Sequence, residues 1–175
     1  MEKKQPIIVP MIALRGLSIF PGMAISFPAG RQKSLDALQA AEENGKEIFL
    51  VTQRDPNVPD PSRSDLYDIG VLAELKQVLK LPGNLTHVIV EGKCRGRLEN
   101  IHVKNCDYGE ITTIPQDFDE EPSEQIQAIM KIAVEEYEEY LKLAPNTAAM
   151  DLMGNVLSAT KPGQLADVMA AGLEL

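Results

Sequence analysis

Two kinds of apolar spacing divide the chain. Up to about Pro115 the apolar residues come in short runs and alternations punctuated by Gly and Pro, whereas from about Ser123 they recur every three or four positions. In the first stretch, Ile7–Leu14 is a β-branched run of strand length, and Met23–Phe27 is a second one behind the turn at Pro21-Gly22. Arg31–Asn44 reads as a helix with Leu35, Leu38 and Ala41 on one narrow face, and Gly45 suits the left-handed position past its last turn. Glu47–Gln53 follows as a buried strand with Ile48, Phe49, Leu50 and Val51 in a row. Arg54–Asp68 holds Pro56, Pro59 and Pro61 among Asp and Ser residues, which predicts a surface loop.

The next segment has two readings. Val71, Leu72, Leu75, Val78 and Leu79 fit a helix face, yet Val71, Ala73 and Leu75 also alternate as in a strand. The hairpin-type sequence Pro82-Gly83-Asn84 and the strongly β-type His87–Val90 behind it favour a strand, bulged near Lys76-Gln77. Two further strands are expected at Gly96–Val103 and Tyr108–Ile114.

In the second stretch Ile126, Ile129, Met130, Ala133, Tyr137, Tyr140 and Leu141 mark one amphipathic helix, ended by Pro145, with Glu135, Glu136, Glu138 and Glu139 on its solvated face. Shorter helices are expected at Ala148–Leu157 and Gln164–Leu173. The fold class is therefore α+β: a β-rich domain with one inserted helix over residues 1–116, then a small all-α subdomain over 117–175.

Charge and composition narrow the function. The net charge is −9, and Asp117–Lys142 holds nine acidic residues against Lys131 and Lys142, leaving the rest nearly neutral. Nucleic-acid affinity needs the opposite sign. The one basic stripe, Lys93, Arg95 and Arg97, is short and lacks interleaved aromatics, so an RNA-binding role is the weaker alternative. Cys94 and Cys106 form no disulfide or zinc pattern, which points to a reducing, cytoplasmic setting. The run after Lys3 and Lys4 is interrupted by Pro10 and Arg15, unlike a signal peptide or membrane span, so no membrane partner is expected.

The chemistry of an enzyme is not written here. Gly45-Lys46 is followed by Glu47 where a phosphate-binding loop needs Ser or Thr and a helix start. Cys94 with His87 or His102 and Asp107 could in principle form a nucleophile and base, or with Cys106 a metal set, but the spacing supports neither. No G-x-S-x-G elbow surrounds Ser18, Ser26 or Ser34. No catalytic residue, metal or cofactor is expected in this stretch.

The run Pro10-Met11-Ile12-Ala13-Leu14-Arg15-Gly16-Leu17-Ser18-Ile19-Phe20-Pro21-Gly22 resembles the opening of Lon-protease amino-terminal domains. The segments Gly30–Ser34, Gln53–Pro56, Asp65–Gly70, Leu79–Gly83, Val88–Gly92 and Lys161–Asp167 resemble further landmarks of that family, in its order. Ile12-Ala13 departs from a second Pro common in relatives, and Asn84 from the usual hairpin residues. The resemblance implies a PUA-like β pseudo-barrel followed by helices. It also implies a non-catalytic part of an ATP-dependent protease of protein quality control and stress response. Such a part recognises unfolded or damaged polypeptides and supports a hexamer. ATP, magnesium and a Ser-Lys dyad would belong to ATPase and peptidase parts elsewhere. A pure oligomerisation or docking module is the other alternative.

Capture of unfolded chains requires exposed apolar surface. The candidates are the turn residues Leu17, Ile19, Phe20, Pro21 and Met23 around one turn and Leu79, Leu81 and Pro82 around another; a flexible Met suits varied partners.

Overall fold

A run such as Ile48-Phe49-Leu50-Val51 is stable as a strand only where both of its faces are covered, and the architecture provides for that. The computed structural model describes residues 5–82, 85–115, 121–143 and 147–173. β1 (Ile7–Leu14) lies parallel to β3 (Glu47–Thr52), with Met11 opposite Phe49. β3 pairs antiparallel with β4 (Ile69–Leu81), β4 with β5 (Leu85–Val103), β5 with β6 (Asp107–Thr113), and β6 with β1. These five strands close a ring. β2 (Ala24–Ala29) stands outside it, paired with Thr86–Glu91 of β5 on the edge that β6 takes over from Gly96 onward.

The separate strands expected at His87–Val90 and Gly96–Val103 are one strand, β5, of 19 residues. Gly92 and Gly96 look like breaks in the sequence, but each sits where another group comes too close for a Cβ. The bulge expected near Lys76-Gln77 is present, as Leu75 pairs with Val90 and Gln77 with Ile89. A second bulge leaves Lys93 over between Gly92, opposite Ala73, and Cys94, opposite Leu72. Both extra residues are lysines that meet carboxylates: Lys76 Nζ lies 2.9 Å from Glu91 and 3.2 Å from Glu74, and Lys93 Nζ lies 3.4 Å from Glu47 and 3.5 Å from Glu74. Bulges of this kind bend the strands and allow the ring to close.

The alternating side chains build two cores on the two faces of the strands. Val9, Met11, Phe49, Val51, Leu72, Leu98 and Ile111 come from all five ring strands and fill its interior. Ile12, Leu14, Ile48, Leu50, Val71, Ala73 and Leu75 face outward into a second cluster, completed by Ala37, Leu38, Ala40 and Ala41 of α1 (Gln32–Glu43) and by Ile19 and Phe27. Small residues at those helix positions let the helix lie close to the sheet. The loop expected over Arg54–Asp68 also needs correction. Arg63–Asp65 forms a 3-10 turn closed by a Ser62–Asp65 capping box, and Leu66 is fully buried in the ring core, bridged to Gln53. An apolar side chain within a polar, Pro-rich loop thus plugs the ring. Gly83 and Asn84 of the expected hairpin turn lie outside the described residues.

The chain divides into two compact units, Met1–Pro115 and Gln116–Leu175. The second is made of α2 (Glu124–Leu143), α3 (Thr147–Ser158) and α4 (Pro162–Ala171), around Tyr137, Val156 and Leu165. Pro145, expected to stop α2, lies outside the described residues. The Tyr137 ring stacks on Tyr140 with centroids 6.0 Å apart, but its hydroxyl is buried without a hydrogen-bond partner among the described residues. An unpaired buried hydroxyl costs on the order of 1–3 kcal/mol. Tyr137→Phe should therefore stabilise the helical unit by about 1 kcal/mol in urea unfolding. A lower midpoint would mean that the hydroxyl has a partner.

Candidate functional site

The β1–β2 connection carries most of the apolar turn residues. Gly16 and Gly22, with φ of 60° and 79°, take the left-handed conformations that its two bends require. The Thr52 hydroxyl donates to the Leu17 carbonyl at 2.8 Å, Gly22 N–H donates to the Gly92 carbonyl at 2.9 Å, and Gly92 N–H donates to the Met23 carbonyl at 2.8 Å. The loop is thereby fixed to β3 and β5.

Within this frame the turn residues have different fates. Ile19 is only 7% exposed and belongs to the outer core, and Pro21 is buried. Both are drawn against the sheet by the bonds from Gly22 and Thr52, and of the two Ile19 still borders a cavity. Leu17 and Met23 are half-buried against that core, and Phe20 is half-buried beside a cavity. Leu79 and Pro82 are exposed; the side chain of Leu81 lies outside the described residues. The two turns do not meet. Ala24 pairs with Glu91 next to the first turn, and Ala29 pairs with Thr86 next to the second. They therefore lie at opposite ends of β2, about 17–20 Å apart at the usual rise per strand residue.

What the register does bring together is Phe20 with residues from the end of β3, the start of β4 and the middle of β5. They enclose an open cavity of about 420 Å³. Its apolar lining includes Phe20, Ile69 and Val71, and Tyr67 and Ile69 keep 47% and 38% of their surface exposed. The Ser18 and Thr52 hydroxyls add polar points. Gly70 also lines it: a Cβ there would stand 2.5 Å from the Leu50 carbonyl, so the backbone forms the wall.

The charged rim consists of Arg54, Arg95 and Asp68. Arg54 stacks over the Tyr67 ring at 4.8 Å and donates through Nε to the Leu66 carbonyl at 3.0 Å, which fixes its direction. Asp68 is engaged by Arg63 at 2.7 Å and only distantly by Arg54, at 3.9 Å. The Arg63 hydrogen bond is the main reason its carboxyl is held below the usual range, with the charges of Arg63, Arg54 and Arg97 adding to it. Among the described residues lining the cavity, two arginines thus stand beside one carboxylate, in a chain whose net charge is −9.

Tyr67, Ile69 and Arg54 were not singled out by their spacing. The sequence signals for these three are the landmarks Gln53–Pro56, which holds Arg54, and Asp65–Gly70, whose apolar pair Leu66-Tyr67 splits between core and surface.

The other candidate residues lie elsewhere. The Lys93–Arg97 stripe is broken by the bulge: Lys93 turns to Glu47 and Glu74, while Arg95 lines the cavity. His102 Nε2 lies 3.0 Å from Glu110, and Cys106 is buried with its thiol pKa pushed up by desolvation, the reverse of what a nucleophile needs. Among the described residues no group of three or more His, Cys, Asp or Glu side chains is placed to hold a metal, and no helix is long and apolar enough to cross a membrane.

A family profile described as "ATP-dependent protease La (LON) substrate-binding domain" matches residues 8–175. The Lon protease of Clostridium acetobutylicum is 35% identical over 168 residues, covering 95% of this chain and 21% of that protein. The Lon protease of Bacillus thuringiensis is 34% identical over 169 residues, covering 96% and 21%. The chain thus spans about a fifth of the length of these relatives. Among solved structures, the N-terminal domain of a Mycobacterium avium complex Lon protease superposes with a TM-score of 0.71 at 21% identity, covering 97% of this chain and 84% of that one. A Lon N-terminal domain protein from Xanthomonas campestris gives a TM-score of 0.57 at 14% identity, covering 72% and 70%.

Proposed function

This chain belongs to the family of substrate-binding domains of the ATP-dependent protease La (Lon), and from that premise we propose that it captures unfolded or damaged polypeptides for degradation by a Lon protease. Substrate recognition is its role; the finer reading concerns what is recognised and where. The observation that supports it is the cavity beside Phe20, on the outward face of the strands under the β1–β2 connection, where Tyr67 and Ile69 remain exposed. Folded proteins hide the large apolar side chains that would fill such a cavity, and unfolded ones present them. One shallow site binds weakly, so useful strength would come from several copies acting together in a homo-oligomer, a hexamer in our proposal.

The helical unit supports an accompanying role in assembly. On α2, Ile126, Ile129 and Ile132 are 39%, 65% and 58% exposed, on positions three residues apart. In this reading the ATPase and peptidase parts of the protease supply the ATP and magnesium chemistry, in the cytoplasm and in response to protein damage.

The test is an amide NMR titration with a reduced, carboxymethylated small protein and with its native, disulfide-bonded form. Only the unfolded form should shift the amides of Leu17, Phe20, Tyr67 and Ile69. Phe20→Ser should weaken that binding by about 1–2 kcal/mol, a five- to thirtyfold effect, through lost apolar contact. Equal shifts with the native form would sink the reading. Unfolding of Phe20→Ser would show the ring to be core.

A further inference from the structure

The cavity beside Phe20 is not lined as a purely hydrophobic sensor would be. Two guanidinium groups, Arg54 and Arg95, stand on its rim in a strongly acidic protein, directly beside its apolar lining. Arg54 is oriented by the Tyr67 ring and the Leu66 carbonyl, and it is half exposed, with a side-chain accessibility of 49%. Among the described residues the carboxylate lining it is that of Asp68, which is occupied by Arg63 at 2.7 Å and leaves Arg54 only a 3.9 Å approach. A guanidinium held in place beside an aromatic face is a receptor for a planar anion, and its fork matches a carboxylate. The volume of about 420 Å³ lies within the ~300–1,000 Å³ typical of ligand pockets, with room for a large side chain.

Resting on the reading that this cavity takes unfolded polypeptide, we propose that it is a site for a carboxylate next to a large apolar side chain, and that its occupant is the carboxy-terminal residue of a polypeptide. A terminal residue carries both groups on one Cα. The side chain would enter between Phe20 and Ile69 while the carboxylate meets Arg54 at the rim. Internal segments supply the same pair only where Asp or Glu adjoins an apolar residue, with the charge on a longer arm.

The probes are three Gly/Ser octapeptides ending in Phe: one with a free carboxylate, one amidated, and one amidated with Asp before the Phe. Each is titrated into the whole chain, reading the amides of Phe20, Tyr67 and Ile69. The free acid should bind about tenfold more tightly than the amide, the size of effect one charge-assisted hydrogen bond provides, and should weaken with added salt. Arg54→Gln should erase the difference by weakening only the acid, and Arg54→Lys, which keeps the charge but not the planar fork, provides a second check should Arg54→Gln disturb the Tyr67 loop. Equal binding of acid and amide overturns the proposal. If the Asp peptide matches the free acid, an internal carboxylate is recognised and the chain-end assignment is wrong. If no peptide shifts these amides but the carboxymethylated protein does, only this inference fails; silence to both removes the underlying reading as well.

Discussion

Phe49→Ala should cost the barrel about 3–5 kcal/mol in urea or thermal unfolding, a large share of the ~5–15 kcal/mol that holds an ordinary domain together. Phe49 is fully buried in the middle of β3 and is the largest such side chain. Its ring fills space left by glycines on two neighbouring segments. A Cβ on Gly70 would stand 2.5 Å from its Cζ, and one on Gly96 would stand 3.1 Å from its Cε2. Removing the ring leaves a cavity bordered by residues with no side chain to move into it, so the interior cannot relax around the loss. Phe20, half-buried on the loop, should cost far less when changed to Ser. A loss below about 1 kcal/mol at Phe49 would mean that the ring does not support the interior.

The same residue shows what was legible beforehand. Four consecutive apolar residues at Ile48–Val51 announced a strand covered on both faces, and β1, α1 and the Lys76 bulge could be placed because each is signalled by residue types within its own stretch or the turn sequence behind it. Features set by distant partners could not. Gly92 reads as an interruption until the loop from Phe20 is seen lying on it, and Leu66 reads as part of a polar loop until the open end of the ring is seen to need a plug. Ile19 and Phe20 are adjacent, both apolar and both line the cavity, yet one is buried in the core and the other only half-buried, and no periodicity separates them. The cavity itself depends on the strand pairing that brings Arg95 of β5 beside Val71 of β4, so in the sequence Arg95 reads only as part of a basic stripe.

Gly92 connects stability to binding, and a substitution there tests both. A Cβ at this position would lie 2.4 Å from the Phe20 carbonyl oxygen and 3.2 Å from Val71 Cγ1. The first is a contact with backbone, not with the end of a flexible side chain, so the β1–β2 loop must move outward. That movement breaks the Gly22 N–H bond to the Gly92 carbonyl and the Gly92 N–H bond to the Met23 carbonyl, at 2.9 and 2.8 Å. Replacing Gly by Ala ordinarily gains about 0.4–1 kcal/mol by restricting the unfolded chain. Here the overlap and the two lost bonds outweigh it, and Gly92→Ala should destabilise the barrel by about 1–3 kcal/mol. Phe20 is displaced with the loop, so the folded remainder should bind carboxymethylated protein more weakly, with changed resting shifts at Phe20 and Tyr67. Ala substituted at Gly30, where nothing lies within 4 Å of the added Cβ, should leave binding and stability nearly unchanged. If Gly92→Ala is as stable as the parent and binds equally well, the loop is not held on β5 as described, and the cavity it closes is not the binding site.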